Sequence, residues 1–223
     1  MIMRQMSGRP NQPCGIVKWY IVLAARGEKN VMAVYPDSLT VGEARARYFA
    51  ANRFDESGYE ARWVRLQAGP IPLFLLNTNA RVRAVRFHDI HHVVTAYDTT
   101  WIGEAEIAAW EIASGCAHHY AAWLLNLQAM AVGLFLNPEA VFRAFLRGRR
   151  SANLYRQAFS NHLLSLTVGE MRRRLHLDTA PGSPTRDDRM AFASWVLASA
   201  LVFLSSLVIV LTPLIALLVV LFS

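Results

Sequence analysis

The chain is poor in cysteine and almost without lysine. Two cysteines in 223 residues, Cys14 and Cys116, exclude a disulfide framework and point to a reducing compartment. No G-x-G-x-x-G string and no G-K-S or G-K-T string occurs, so Rossmann and P-loop phosphate cradles are unsupported. A serine nucleophile elbow is missing as well. Charged residues make up only 17% against 54% hydrophobic, which excludes a disordered chain. Of 23 basic residues only Lys18 and Lys29 are lysine, and the formal net charge is +7. The arginines are dispersed and lack interleaved aromatics, which argues against nucleic acid. The apolar excess turns the basic balance toward a membrane surface.

The length suits one domain with an appendage. The appendage is visible: from Met190 to Ser223, 34 positions carry no charge. As one helix they reach about 51 Å, too long for a hydrocarbon core of about 30 Å. Two crossings need about 40 residues and a turn. We read one spanning helix near Ala191–Leu211, a kink at Pro213 and a short apolar end; a re-entrant hairpin is the lesser alternative. Arg172, Arg173, Arg174, Arg186 and Arg189 precede the run and nothing basic follows it. The positive-inside rule then places residues 1–189 on the cytoplasmic face of the inner membrane. Residues 1–15, polar with Pro10 and Pro13, do not read as a signal peptide.

Residues 16–180 read as a helical domain, with 181–189 as linker and 190–223 as anchor. The expected class is all-α, a multi-helix bundle with a metal-binding helical hairpin and a C-terminal transmembrane helix. Ile16–Ala25 reads as a short apolar helix and Ser38–Phe54 as an amphipathic one. Thr40 and Glu43 have capping-box spacing. The string SLTVGE stands at 38–43 and again at 165–170, read as one helix-start solution used twice. Residues 58–79, with Gly58, Gly69, Pro70 and Pro72, read as a connector holding an extended stretch over 61–66. Asn79 is the expected cap of a helix through Arg81–Tyr97, whose Val82, Val85, Ile90, Val93 and Val94 keep helical spacing. Asp98-Thr99-Thr100 gives a break and a new cap. Glu104, Glu106 and Glu111 then suit the favourable end of a helix dipole. Ile112–Asn137 carries no formal charge and reads as a buried or lipid-lining helix. Asn137-Pro138-Glu139 starts another, ending in Arg147, Arg149 and Arg150, suited to an anionic membrane surface.

The informative cluster is His88-Asp89-Ile90-His91-His92. His88 and His92 lie one helical turn apart on one face, a spacing that holds a divalent metal once a carboxylate from elsewhere joins them. Glu104 lies sixteen residues after His88. On an unbroken helix it points about 160° away. A helical hairpin at Asp98–Thr100 brings it back beside His92. The metal reading and the hairpin therefore stand together.

The pattern H-D-x-x-H, eleven residues, then E (His88, Asp89, His92, Glu104) resembles the motif of the coenzyme Q biosynthesis protein four family, here Coq-four. The resemblance is sharpest over 77–115 and extends over 15–180. It implies an α-helical protein that binds a divalent metal, zinc or iron, through His88, Asp89, His92 and Glu104, with His91 outside the ligand set. It implies catalytic use of those four residues through the bound metal. It also implies partners: membrane lipid, prenylated quinone intermediates and the other ubiquinone-synthesis proteins; a homodimer stays open. The implied activity is oxidative decarboxylation at ring carbon one of a prenylated hydroxybenzoate. The alternative is a non-catalytic, membrane-tethered lipid-binding scaffold. Arg81, Arg83 and Arg86 are expected either to meet a benzoate headgroup or to face solvent and lipid headgroups. An HD-type phosphohydrolase needs an upstream histidine, and none precedes His88. A membrane di-iron desaturase, suggested by H-x-x-H-H, needs more histidines and more spans than the chain has.

Overall fold

Helices occupy most of the chain, and a small sheet stands beside them. The computed structural model describes residues 16–19, 34–52, 54, 56–68, 71–180 and 182–222. Strand β1 (Ile16–Trp19) pairs in parallel with β2 (Trp63–Ala68), which pairs antiparallel with β3 (Ile71–Leu76). Two sequence expectations change here. The helix expected over Ile16–Ala25 begins instead as a strand, and its remainder lies outside the described residues. The connector's extended stretch is one arm of a β-hairpin, so the expected helical class holds for most of the chain and carries a small three-stranded sheet beside it. The β-branched and aromatic content of WVRL and IPLF fits a pleated surface, and partners distant in sequence decided the matter.

The helices are α1 (Val41–Asn52), α2 (Ser57–Glu60), α3 (Asn79–Thr95), α4 (Trp101–Ser114), α5 (Tyr120–Leu136), α6 (Pro138–Arg149), α7 (Asn161–Ser165), α8 (Val168–Arg174) and α9 (Arg186–Phe222). Thr78, not Asn79, caps α3, accepting from Arg81 N–H at 3.2 Å. The expected break follows: Ala96 turns left-handed (φ 63°), and Thr100 caps α4 while Asp98 accepts from its backbone and hydroxyl. The uncharged stretch 112–137 divides at Gly115 into the end of α4 and the whole of α5.

The repeated string has a structural use. Thr40 and Thr167 form an isolated antiparallel bridge, with Val41 N–H on Leu166 O and Val168 N–H on Leu39 O, each at 2.8 Å. Both copies close a capping box, Thr40 with Glu43 and Thr167 with Glu170. The two helix starts therefore dock on each other through the same six residues.

Helix α9 is no free tether. Thr185 and Asp188 cap its start, and Asp188 receives Arg149 at 3.2 Å and Arg150 at 2.9 Å. Arg149, still exposed, and Arg150, just past α6, thus pair with the start of α9, and Arg147 donates to Thr95 O at 2.9 Å. Phe192, Trp195, Val196, Ala198 and Val202 pack on a core of Ala105, Leu127, Met130, Val141 and Phe145. Trp195 stacks on Trp123 with centroids 5.1 Å apart. Asp188→Ala is expected to cost about 1–2 kcal/mol through loss of cap and ion pairs. Asp188→Ser, which keeps the cap, should recover part of it; thermal unfolding in detergent measures both.

Candidate metal centre

Three side chains from two helices converge. His88 Nε2 and His92 Nε2 lie 3.1 Å apart, and the Glu104 carboxylate stands 3.3 Å from the first and 3.5 Å from the second. One ligand atom from each of the three lies within 4.8 Å of the others. The i, i+4 spacing on α3 puts both imidazoles on one face. The break at Asp98–Thr100 returns Glu104, in the first turn of α4, to that face.

Hydrogen bonds fix which imidazole nitrogens are free. His92 Nδ1 faces the carbonyl of Tyr97 at 2.9 Å, and a carbonyl only accepts, so Nδ1 carries the proton. His88 Nδ1 donates to Glu111 Oε1 at 2.9 Å. Each ring therefore presents its Nε2 lone pair to the other. Two acceptors and a carboxylate at this separation need a cation among them: a proton or a metal ion. A tetrahedral ion with bonds of about 2.0–2.1 Å sets its ligand atoms about 3.3 Å apart. The observed separations fit that ion. Outer hydrogen bonds that fix each ring's tautomer are what metal-bound histidines require.

Glu111 is the residue that sequence reasoning misplaced. It was grouped with the acids of the first turns; it lies near the end of α4, fully buried. Its two oxygens accept from His88 Nδ1, His91 Nδ1 (2.7 Å), Tyr155 Oη (2.7 Å) and Asn126 Nδ2 (2.5 Å). Four donors fill a carboxylate's acceptor capacity. Burial alone pushes its carboxyl up, but His88's charge and the histidine hydrogen bonds hold it well below the usual range. A signal was available: Glu111 follows Glu104 by seven residues, two helical turns, and so shares its face. His91 lies outside the converging set, as expected. It accepts Leu154 N–H on Nε2 at 3.0 Å and is buried, and burial keeps it neutral.

Asp89 takes another direction. Its Oδ2 accepts from the hydroxyl of Tyr59, which in turn receives Arg45 at 3.1 Å. Of the four residues the motif named, the structure brings His88, His92 and Glu104 together and leaves Asp89 out of the converging set. Tyr48 stacks on His92 with centroids 5.5 Å apart and closes one side. Arg86 lies over the Tyr59 ring at 5.2 Å, and Arg81 donates to Asn77 at 2.7 Å.

The electrostatics suit a displaceable proton. Burial opposes a charge on His88, but Glu111 and Glu104 outweigh it and raise His88 well above an ordinary imidazole. Burial likewise opposes ionised Glu104; His92 and His88 overcome it and hold its carboxyl down to about 2. Both directions favour a positive charge held between His88 and Glu104, beside His92 Nε2. Comparison of the chain with protein-family models, with curated proteins and with solved structures finds no match.

Proposed function

We propose that this is a membrane-seated, divalent-metal protein of the Coq-four type, acting on prenylated benzoquinone-precursor lipids at the inner membrane. The observation that carries the reading is the close approach of His88 Nε2 and His92 Nε2, with the Glu104 carboxylate completing the set. The quoted motif, H-D-x-x-H and a distant Glu, supports the family. The long apolar helix α9 supports the membrane: it is the one described helix long and apolar enough to cross one.

Two histidines and one carboxylate are three protein ligands, the number that leaves coordination positions open for substrate. Zinc and iron both suit this set. When bound, such an ion supplies Lewis-acid charge to carboxylate and hydroxyl oxygens of an aromatic ring. The protein's part is positioning. Glu111 and the Tyr97 carbonyl hold the two imidazoles by Nδ1, Glu104 balances charge, and Tyr48 excludes water from one side. Oxidative decarboxylation at ring carbon one is the reaction we assign, in company with the other ubiquinone-synthesis proteins.

Elemental analysis of detergent-purified protein tests the site. Wild type is expected to hold about one zinc or iron per chain and His92→Ala to lose it; equal content in both removes the site. Turnover of a ring-carbon-one carboxylated, prenylated precursor tests the chemistry. Glu104→Ala is expected to abolish it. Equal turnover by both proteins defeats the catalytic reading, and complementation by the mutant makes the protein a scaffold.

A further inference from the structure

The direction in which α9 leaves the domain follows from its contacts. Its start is tied to the end of α6 by Asp188 with Arg149 and Arg150. One turn on, Phe192 packs on Phe145 and Phe142. So α9 runs antiparallel to α6 and departs past the start of α6, where Asn137 joins it to α5. The same end holds the start of α4. A methyl group on Gly133 would lie 2.2 Å from Cβ of Ala105 and 2.9 Å from Cγ2 of Val141, so only glycine lets α4, α5 and α6 meet there.

That end is apolar and bare. Phe135 is 82% exposed, Leu136 52% and Ile102 39%. The polar groups nearby are Asn137, the Asp98–Thr100 turn and Glu106 on either side of Ile102, and Glu139 with Arg143, the last two joined in an exposed ion pair at 2.6 Å. Helix α9 packs on the domain up to Val202. Twenty residues of it remain, 203–222, about 30 Å of helix, the thickness of a hydrocarbon core. From the Trp123–Trp195 stack, twelve residues along α5 bring Phe135 level with about residue 207 of α9, roughly 6 Å inside that boundary.

We propose that the α5–α6 corner and the start of α4 are a lipid-seated face, with Phe135, Leu136 and Ile102 in the acyl layer. This rests on the reading of α9 as a membrane span and shifts that span from 191–211 to 203–222. The domain is then fixed rigidly on the bilayer, because the first turns of α9 belong to its core. Glu104 precedes Ala105 by one residue, so the metal centre lies at the membrane end of the bundle. A substrate with a long apolar chain reaches it with the chain still in lipid. The Glu139–Arg143 pair sits at headgroup level, and Arg149 and Arg150 lie at the far end, about 20 Å from Val202 along α9.

The test is depth-dependent quenching in the full chain. Single environment-sensitive labels are placed at Phe135→Cys, Leu124→Cys and Ile209→Cys in a Cys14→Ser background, where buried Cys116 stays unlabelled. The proteins are reconstituted in phosphatidylcholine–phosphatidylglycerol vesicles with spin labels shallow or deep in the acyl chain. We expect Phe135→Cys and Ile209→Cys both to lose emission to the acyl-chain quenchers and Leu124→Cys to neither. Ile209→Cys quenched with Phe135→Cys unaffected overturns the seated face and leaves the span. Leu124→Cys quenched as strongly as Ile209→Cys overturns the assigned level. No quenching at Ile209→Cys overturns the span itself.

Discussion

Glu111→Ala is expected to cost about 3–5 kcal/mol, enough to unfold much of the domain at ambient temperature. The residue touches no bulk water, and its loss strands four donors at once: both histidine Nδ1–H groups, the Tyr155 hydroxyl and the Asn126 amide. Each stranded buried donor costs about 1–3 kcal/mol before relaxation. Glu111→Gln keeps the volume but turns an amide N–H₂ toward donors, so it is expected to recover only part of the loss. Glu104→Ala is expected to cost far less, because its carboxylate is partly exposed and its partners keep their other bonds. Urea unfolding in detergent measures all three. Equal costs at 104 and 111 would mean that Glu111 is not the keystone of the pair.

That contrast also shows what a sequence discloses. The helix pair, its break and the face shared by His88 and His92 follow from local chemistry: an i, i+4 spacing, an Asp-Thr-Thr break and a threonine cap. Glu104's place followed once the break was granted. Glu111 did not, because its partners Asn126 and Tyr155 come from 15 and 44 residues away and no spacing announces them. Asp89 illustrates the same limit. It sits beside His88 in the chain, but successive helical residues point about 100° apart, and Tyr59, thirty residues earlier, claims its carboxylate. The sheet was missed for a like reason. Alternation in WVRL is too short to outvote neighbouring glycine and proline, and β1 supplies its partner from the other end of the domain. The apolar tail was legible as a length, and its division at Val202 was not, since packing on α5 and α6 sets it.

Metal affinity is expected to rise with pH, by about tenfold per unit for each proton displaced, from pH 6 to 8. The sign follows from His88. In the metal-free protein Glu111 and Glu104 overcome its burial and raise its pKa well above the ordinary value. The stability that this protonated ring contributes is full below an imidazole's unfolded pKa of about 6.5 and is lost as pH rises through the raised value. A metal ion held by His88 Nε2, His92 Nε2 and Glu104 would take the place of that proton. Binding therefore expels a proton at neutral pH, and acid competes with the ion. Glu104, held down to about 2, stays ionised across the whole range and adds no pH dependence of its own. Calorimetric titration with Zn²⁺ in buffers of different ionisation enthalpy reads both quantities, and about one proton released per ion is expected at pH 7. His88→Ala removes a ligand together with the chief seat of that proton, so its residual binding should be weak and should release less proton per ion than the wild type. Wild-type affinity that stays flat from pH 6 to 8 with no proton released would show that the cation between these imidazoles is not exchanged for metal, and the centre would be a proton-bridged helix clamp.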